Sequence, residues 1–272
     1  MVLDGHIHIM SSEIDSDFGK KVLSAGVDGG IFLSLCPDSF EFSEVKHFSP
    51  QDRVKNVMNW SEKYSGFYPF FWIDPLEEDA LEQVQMAKEE GIKGFKVISN
   101  NFYPYENRPM EVFTKIAEEG LPILFHSGIS YAGIDSSRYN KPVGFELLLE
   151  VPGIRFSLAH ISWPWHDELL ALYGKFQNKK YNIKNYNVDM FIDLTPGTPP
   201  IYREEVLTKL HKIGYDVKDN VFFGTDSRAD NYQANHTREW VNRDNKIYEK
   251  LNLDDKLINK IYKKNLLRFI NG

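Results

Sequence analysis

Short apolar runs recur along the chain, and each is followed by a stretch in which apolar residues return every three or four positions. The runs Val2–Ile9, Gly30–Leu35, Phe67–Ile73, Gly94–Ile98, Pro122–His126, Arg155–His160, Val188–Leu194 and Val221–Thr225 read as strands. Helical spacing lies between them, as in Leu81, Val84, Met86 and Ala87 before Gly91, and Val112, Phe113, Ile116 and Ala117 before Gly120. Glycine after the last turn, at Gly26, Gly91, Gly120 and Gly214, is a helix stop. Strands apolar on both faces and separated by helices imply a parallel sheet. Eight such units in about 250 residues predict an α/β fold, a (β/α)8 TIM barrel forming one domain over residues 1–272. The alternative, a doubly wound open sheet, would want a Gly-x-Gly-x-x-Gly turn after the first strand, and none is there. The stretch Lys175–Asn187 reads as an irregular insert before the seventh strand. Leu257–Ile270 reads as a helix on the outside of the barrel.

Composition narrows the function classes. The net charge of −7 lacks the clustered basic surface that general nucleic-acid binding needs. A single cysteine, Cys36, rules out a disulfide framework and a cysteine-based metal site, and as the close of the second strand it reads as a small buried side chain. No apolar stretch reaches the ~18 residues of a membrane span, and no signal-peptide pattern precedes Asp4 and His6. The expectation is a soluble, cytoplasmic protein whose partner is a small molecule, with neither nucleic acid nor membrane, and with homo-oligomerisation left open.

In barrels of this class chemistry sits at the C-terminal ends of the strands. The first run holds Asp4-Gly5-His6-Ile7-His8. Residues two apart on a strand face the same way, so His6 and His8 present two imidazoles to one metal, and Asp4 on that face is placed to hydrogen-bond a ligand histidine. The fourth run carries Lys96, the fifth and sixth end in His126 and His160, and the eighth ends in Asp226. By contrast His47, His166, His211 and His236 fall in helices and loops.

On these residues the chain resembles the amidohydrolase superfamily, in particular its amidohydrolase-related branch of metal-dependent TIM-barrel hydrolases and decarboxylases. The matching stretches are Asp4–His8, Gly94-Phe95-Lys96, Phe125-His126-Ser127-Gly128, Leu158-Ala159-His160, Gly224-Thr225-Asp226-Ser227 and the Asn265-centred Ile261–Phe269. The resemblance implies that His6, His8, His126 and Asp226 ligate one divalent metal, with zinc expected. It implies that His160 stands beside the metal as a general acid/base and that Asp226 also accepts a proton. In binuclear members a carboxylated lysine on the fourth strand bridges two metals with the sixth-strand histidine as ligand, and Lys96 and His160 supply that set. Single-metal relatives often carry Gly-x-Lys-x-His-Pro, where this chain has Ile98 and Ser99. One metal per chain is the reading adopted, with Lys96 an ordinary lysine whose ammonium needs a pocket carboxylate or the substrate as its partner. The lysine also departs from TatD-type deoxyribonucleases, which look for glutamate there. The late histidine pair of polymerase-and-histidinol-phosphatase-type proteins is missing.

Other candidates lie near the expected mouth. Arg228, two residues past Asp226, is placed to hold a substrate carboxylate. Trp163 and Tyr103 are candidate pocket walls. Arg138 reads as a solvated loop arginine, and Asp193 and Thr195 end the seventh strand either to touch substrate or to cap a helix. The function these residues point to is a metal-dependent hydrolase of a small carbonyl compound (amide, lactone or ester). Non-oxidative decarboxylation on the same site is the alternative. A non-catalytic binding barrel is a third reading, which the complete ligand set opposes.

Overall fold

A computed structural model describes residues 1–40 and 47–272 of the chain. Among the described residues nine parallel strands appear: β1 (Val2–His8), β2 (Val27–Leu33), β3 (Phe67–Trp72), β4 (Gly94–Val97), β5 (Ile123–Phe125), β6 (Arg155–Leu158), β7 (Asp189–Asp193), β8 (Val221–Phe222) and β9 (Ser227–Arg228). They are hydrogen-bonded in the order β8-β7-β6-β5-β4-β3-β2-β1-β9. β8 pairs with β7, and β9 pairs with β1. These two short strands are the halves of one eighth strand, broken where Asp226 adopts φ 59°. Gly5 N donates to Phe223 O at 3.0 Å across the break, so the sheet closes on itself. The fold is a TIM barrel of the α/β class.

Helices cover the outside as the apolar spacing requires. Pro50–Lys63 starts on Ser49, whose hydroxyl accepts from Asp52 N at 3.1 Å, with proline at the first helical position where no donor is wanted. Ala80–Glu89 and Asn107–Glu118 are followed closely by Gly91 (φ 91°) and Gly120 (φ 72°), left-handed positions that only glycine adopts cheaply. Among the described residues no helix is long and apolar enough to cross a membrane.

Two expectations are corrected here. The stretch from Lys175 is regular: the helix His166–Asn182 runs through most of it. Phe176 continues the buried line of Leu169, Leu172 and Tyr173. Lys175 pairs with Glu146, and Lys179 lies 2.8 Å from Glu150. The polar residues there cover the outer side of an amphipathic helix. The C-terminal segment is helical from Asp255 to Asn271, with a π turn at Lys260–Lys264, but only its first part lies outside. Ile261 and Tyr262 join the layer between sheet and helices, whereas Leu266, Phe269 and Ile270 enter the barrel. There they pack with Leu3, Ile31, Leu33, Phe70, Leu124, Phe191 and Phe222. The segment therefore plugs the N-terminal end of the barrel, where inward-facing side chains of the strands must be covered.

A bulge in β1 sets up the opposite end. Leu3 belongs to the interior cluster and Ile7 to the outer layer, although residues four apart on a regular strand share a face. The register slips between Asp4 and Ile7, where three residues on β1 span two on β2. That slip turns His6 and His8 inward and separates them from Asp4.

Candidate metal centre

His6 and His8 meet as the spacing predicts, with their Nε2 atoms 3.2 Å apart. His126 follows β5 directly, its N–H donating to Val97 O at 2.8 Å. Its ring lies 4.9 Å, centroid to centroid, from that of His160, which in turn lies 5.3 Å from His6. Asp226, in the break of the eighth strand, places Oδ1 3.4 Å from His8 Nε2 and 3.6 Å from His6 Nε2. One donor atom each from His6, His160 and Asp226 lies within 4.8 Å of the others. Lys96 is fully buried, with Nζ 3.3 Å from His6 Nε2.

The surroundings decide which atoms are available. Asp193 Oδ2 accepts from His6 Nδ1 at 2.7 Å, which leaves the His6 Nε2 lone pair directed into the cluster. Thr195 N donates to Asp193 Oδ1 at 2.8 Å, and its hydroxyl bonds the same oxygen. Asp193 satisfies the strand-end criterion that picked out the others; it is the histidine-orienting carboxylate, the role expected of Asp4. Asp4 instead accepts from Thr225 N (2.9 Å), Thr225 Oγ1 (2.5 Å), Tyr232 Oη (3.1 Å) and His6 N (3.2 Å). It clamps the bulged first strand to the segment that carries Asp226. Gly224 allows the close approach, because an added Cβ would strike Thr195 and the Cβ of His6.

His160 is held in an unusual conformation. It, Ile161 and Ser162 have φ of 61°, 47° and 52°, three consecutive left-handed residues. Such positions cost free energy and persist where the surroundings impose them. Here Ser162 Oγ meets Ser127 Oγ at 2.8 Å, and Trp163 O accepts from Ile129 N at 2.6 Å, tying the segment after His160 to the one after His126.

The electrostatics follow from burial. Burial, with the charge of Lys96 adding to it, holds His6 neutral, far below the usual imidazole range; burial, again with the Lys96 charge adding, does the same for His126, and burial also lowers His160. Burial pushes Lys96 down to about 8 and Asp193 up to about 6. Asp226 goes the other way. Desolvation would raise it, but the hydrogen bond to His8 and the neighbouring imidazoles hold its carboxyl well below the ordinary range. Neutral imidazoles beside an ionised carboxylate are the protonation states a divalent cation requires.

The donor set fits such an ion. His126 Nε2 and His160 Nδ1 are buried without a hydrogen-bond partner, a costly state that a bound cation would relieve. Nitrogen donors with one carboxylate suit zinc and similar metals. Above the cluster opens a cavity of about 300 Å³, onto which His8, His126, His160, Asp226 and Arg228 face. Arg228 is held by Asp230, at 2.7 Å from Nη2. The remaining candidates lie elsewhere. The Trp163 ring stacks 5.0 Å from Tyr202 and 5.9 Å from His166. Tyr103 stacks on Tyr105 and accepts from Arg138 Nε at 3.1 Å on the outer rim. Neither is among the residues lining the cavity, and Lys96 lies beneath them. Cys36 is buried, and its thiol is raised by burial.

A closed parallel barrel with histidines and an aspartate gathered at its C-terminal mouth defines a class of metal-site α/β barrels. The sequence model of the amidohydrolase family matches residues 41–271, and the chain belongs to that family, as an enzyme of the amidohydrolase superfamily. No curated protein sequence matches the chain. Among solved structures it is similar to a probable 2-pyrone-4,6-dicarboxylic acid hydrolase from Acinetobacter baumannii with citric acid bound (TM-score 0.61, 11% identity, covering 100% of this chain and 99% of that one). It is also similar to the dihydroorotase of Campylobacter jejuni (0.59, 17%, covering 100% and 83%). A third similar structure is an amidohydrolase 2 from Bifidobacterium longum subsp. infantis (0.55, 11%, covering 99% and 98%).

Proposed function

We propose that this enzyme is a metal-dependent hydrolase of a small carbonyl compound: an amide, a lactone or an ester. The observation that carries the reading is the meeting of His6 and His8 from β1 with His126, His160 and Asp226 from the ends of three other strands beneath one cavity, with two buried imidazole nitrogens lacking a partner. His6, His8, His126 and Asp226 would hold one divalent ion, zinc by the chemistry of the donors. Such an ion polarises a carbonyl and brings the pKa of water toward ~7. Asp226, ionised and open to the cavity, accepts the proton of the attacking water. His160, whose Nδ1 is uncommitted, holds the reacting group, and the proton taken up by Asp226 passes on to the leaving group. Asp193 keeps His6 in the tautomer that offers Nε2. Arg228 at the rim anchors a substrate carboxylate, with Asp230 fixing the guanidinium.

One observation favours a second arrangement. Lys96 Nζ lies inside the donor cluster, 3.3 Å from His6 Nε2. If it is carboxylated, it could bridge two ions with His160 as a further ligand. Metal content after chelation and reconstitution tests both: near one per chain is expected, near two that falls in Lys96→Gln supports the bridged pair, and none overturns the proposal. Hydrolysis is then tested with the reconstituted protein on amide, lactone and ester panels. Release of carbon dioxide without hydrolysis would favour decarboxylation instead.

A further inference from the structure

Among the described residues, the cavity over the donor cluster is polar at its floor and, on its rim, at Ser130, Tyr131 and Arg228. Its apolar wall is made by Met10, Phe40, Trp72, Ile98, Ile129 and Ile134. Phe40 and Trp72 pack with Cys36, and Ile98 and Ile134 lie against them, as a cluster separate from both the barrel interior and the outer layer. Phe40 and Trp72, themselves buried, line the cavity, and the Trp72 ring lies 5.5 Å, centroid to centroid, from that of His8. Ile98, the first residue beyond β4, lines the cavity and packs against the cluster of Phe40 and Trp72. Arg228 is the one cationic residue among the described residues lining the cavity.

Resting on the hydrolase reading above, we infer that this site takes carbonyl compounds whose acyl portion is an apolar group of about one ring, with at most one carboxylate, and that Ile98 and Ile134 set this preference. Size agrees: a cavity of ~150 Å³ holds one benzene ring, and this one, at about 300 Å³, has room for a ring and the carbonyl over the floor. Apolar surface brought against the wall leaves water, which favours binding in proportion to its area. A polyhydroxylated or polyanionic compound would lose its hydration against the apolar wall, where among the described residues the rim offers Ser130, Tyr131 and Arg228 as partners.

The test uses the zinc-reconstituted chain and two probes that share a metal-binding head, benzohydroxamate and acetohydroxamate, with affinity measured by calorimetry. Benzohydroxamate should bind at least tenfold more tightly. In Ile98→Asn, and in the loop variant Ile134→Ser should the first fail to fold, that ratio should fall to within about threefold, with zinc content unchanged. Equal affinities in the native chain, or a ratio that survives both substitutions, would overturn the inference while leaving the metal site intact. A chain that retains no zinc and binds neither hydroxamate overturns both this inference and the hydrolase reading, and metal analysis tells the two failures apart.

Discussion

At the N-terminal end of the barrel, Phe269 lies 5.2 Å from Phe191 and from Phe222 and 6.1 Å from Phe70, inside an apolar cluster whose Phe191 ring is covered by the Arg268 guanidinium at 4.2 Å. At the C-terminal end the same strands carry or lead into Lys96, Asp193, His6, His8, His126 and His160, with uncommitted nitrogens and a run of left-handed residues. One end gains stability from apolar packing. The other keeps desolvated polar groups that tertiary structure must hold apart and aimed. The difference shows where this chain supports its fold and where it accepts strain for chemistry.

Substitutions should separate the ends. His6→Ala is expected to lose metal and to lower turnover by about 10⁴-fold or more, each tenfold being ~1.4 kcal/mol, while far-ultraviolet circular dichroism stays native. Unfolding of this variant would erase the contrast. Phe269→Ala should do the reverse, removing about 3–5 kcal/mol from unfolding in urea while metal content holds. Metal lost with the plug would mean that the two ends are coupled. Asp193→Asn should weaken metal affinity about 10–100-fold, measured against a competing chelator, because His6 loses the acceptor that fixes its tautomer. Unchanged affinity would move the orienting role elsewhere.

The smallest effect belongs to neither end. Burial in the helical layer lowers His211 to about 4. The unfolded chain, with a histidine near 6.5, then binds more protons, so stability should fall as pH drops from about 6.5 toward 4. The loss at pH 5 is roughly 1–2 kcal/mol, and His211→Leu should flatten that part of the pH profile.

The strands and the identities of the mouth residues were legible because buried parallel strands are apolar throughout, so a polar residue at a strand end stands out. Asp193 meets that criterion as plainly as His126; what sequence could not tell was whether it faces substrate, a helix or His6. Asp4 was misread for a geometric reason. Alternation along a strand assumes regular register, and the slip between Asp4 and Ile7 appears only once β2 is paired beside it. The C-terminal plug was hidden likewise, since Leu266, Phe269 and Ile270 have the spacing of any amphipathic helix and nothing local says whether they cover a barrel or fill it. For Tyr103 and Trp163, proximity in sequence to a strand end did not bring the ring to the cavity, because the loops carry both outward onto other aromatic residues.

The seam between the first and eighth strands has a consequence for how the molecule assembles. Asp4 and Thr225 are bonded across 221 residues of chain, and His6 and His8 reach Asp226 over nearly the same span. Contacts so distant in sequence form late, because the closure entropy must be met before they return anything. During synthesis β1 waits with a bonding edge unpaired until the final strand leaves the ribosome. Completing the seam and gathering the metal donors are then a single event, so a divalent ion captured there would act as a latch on the last step of folding.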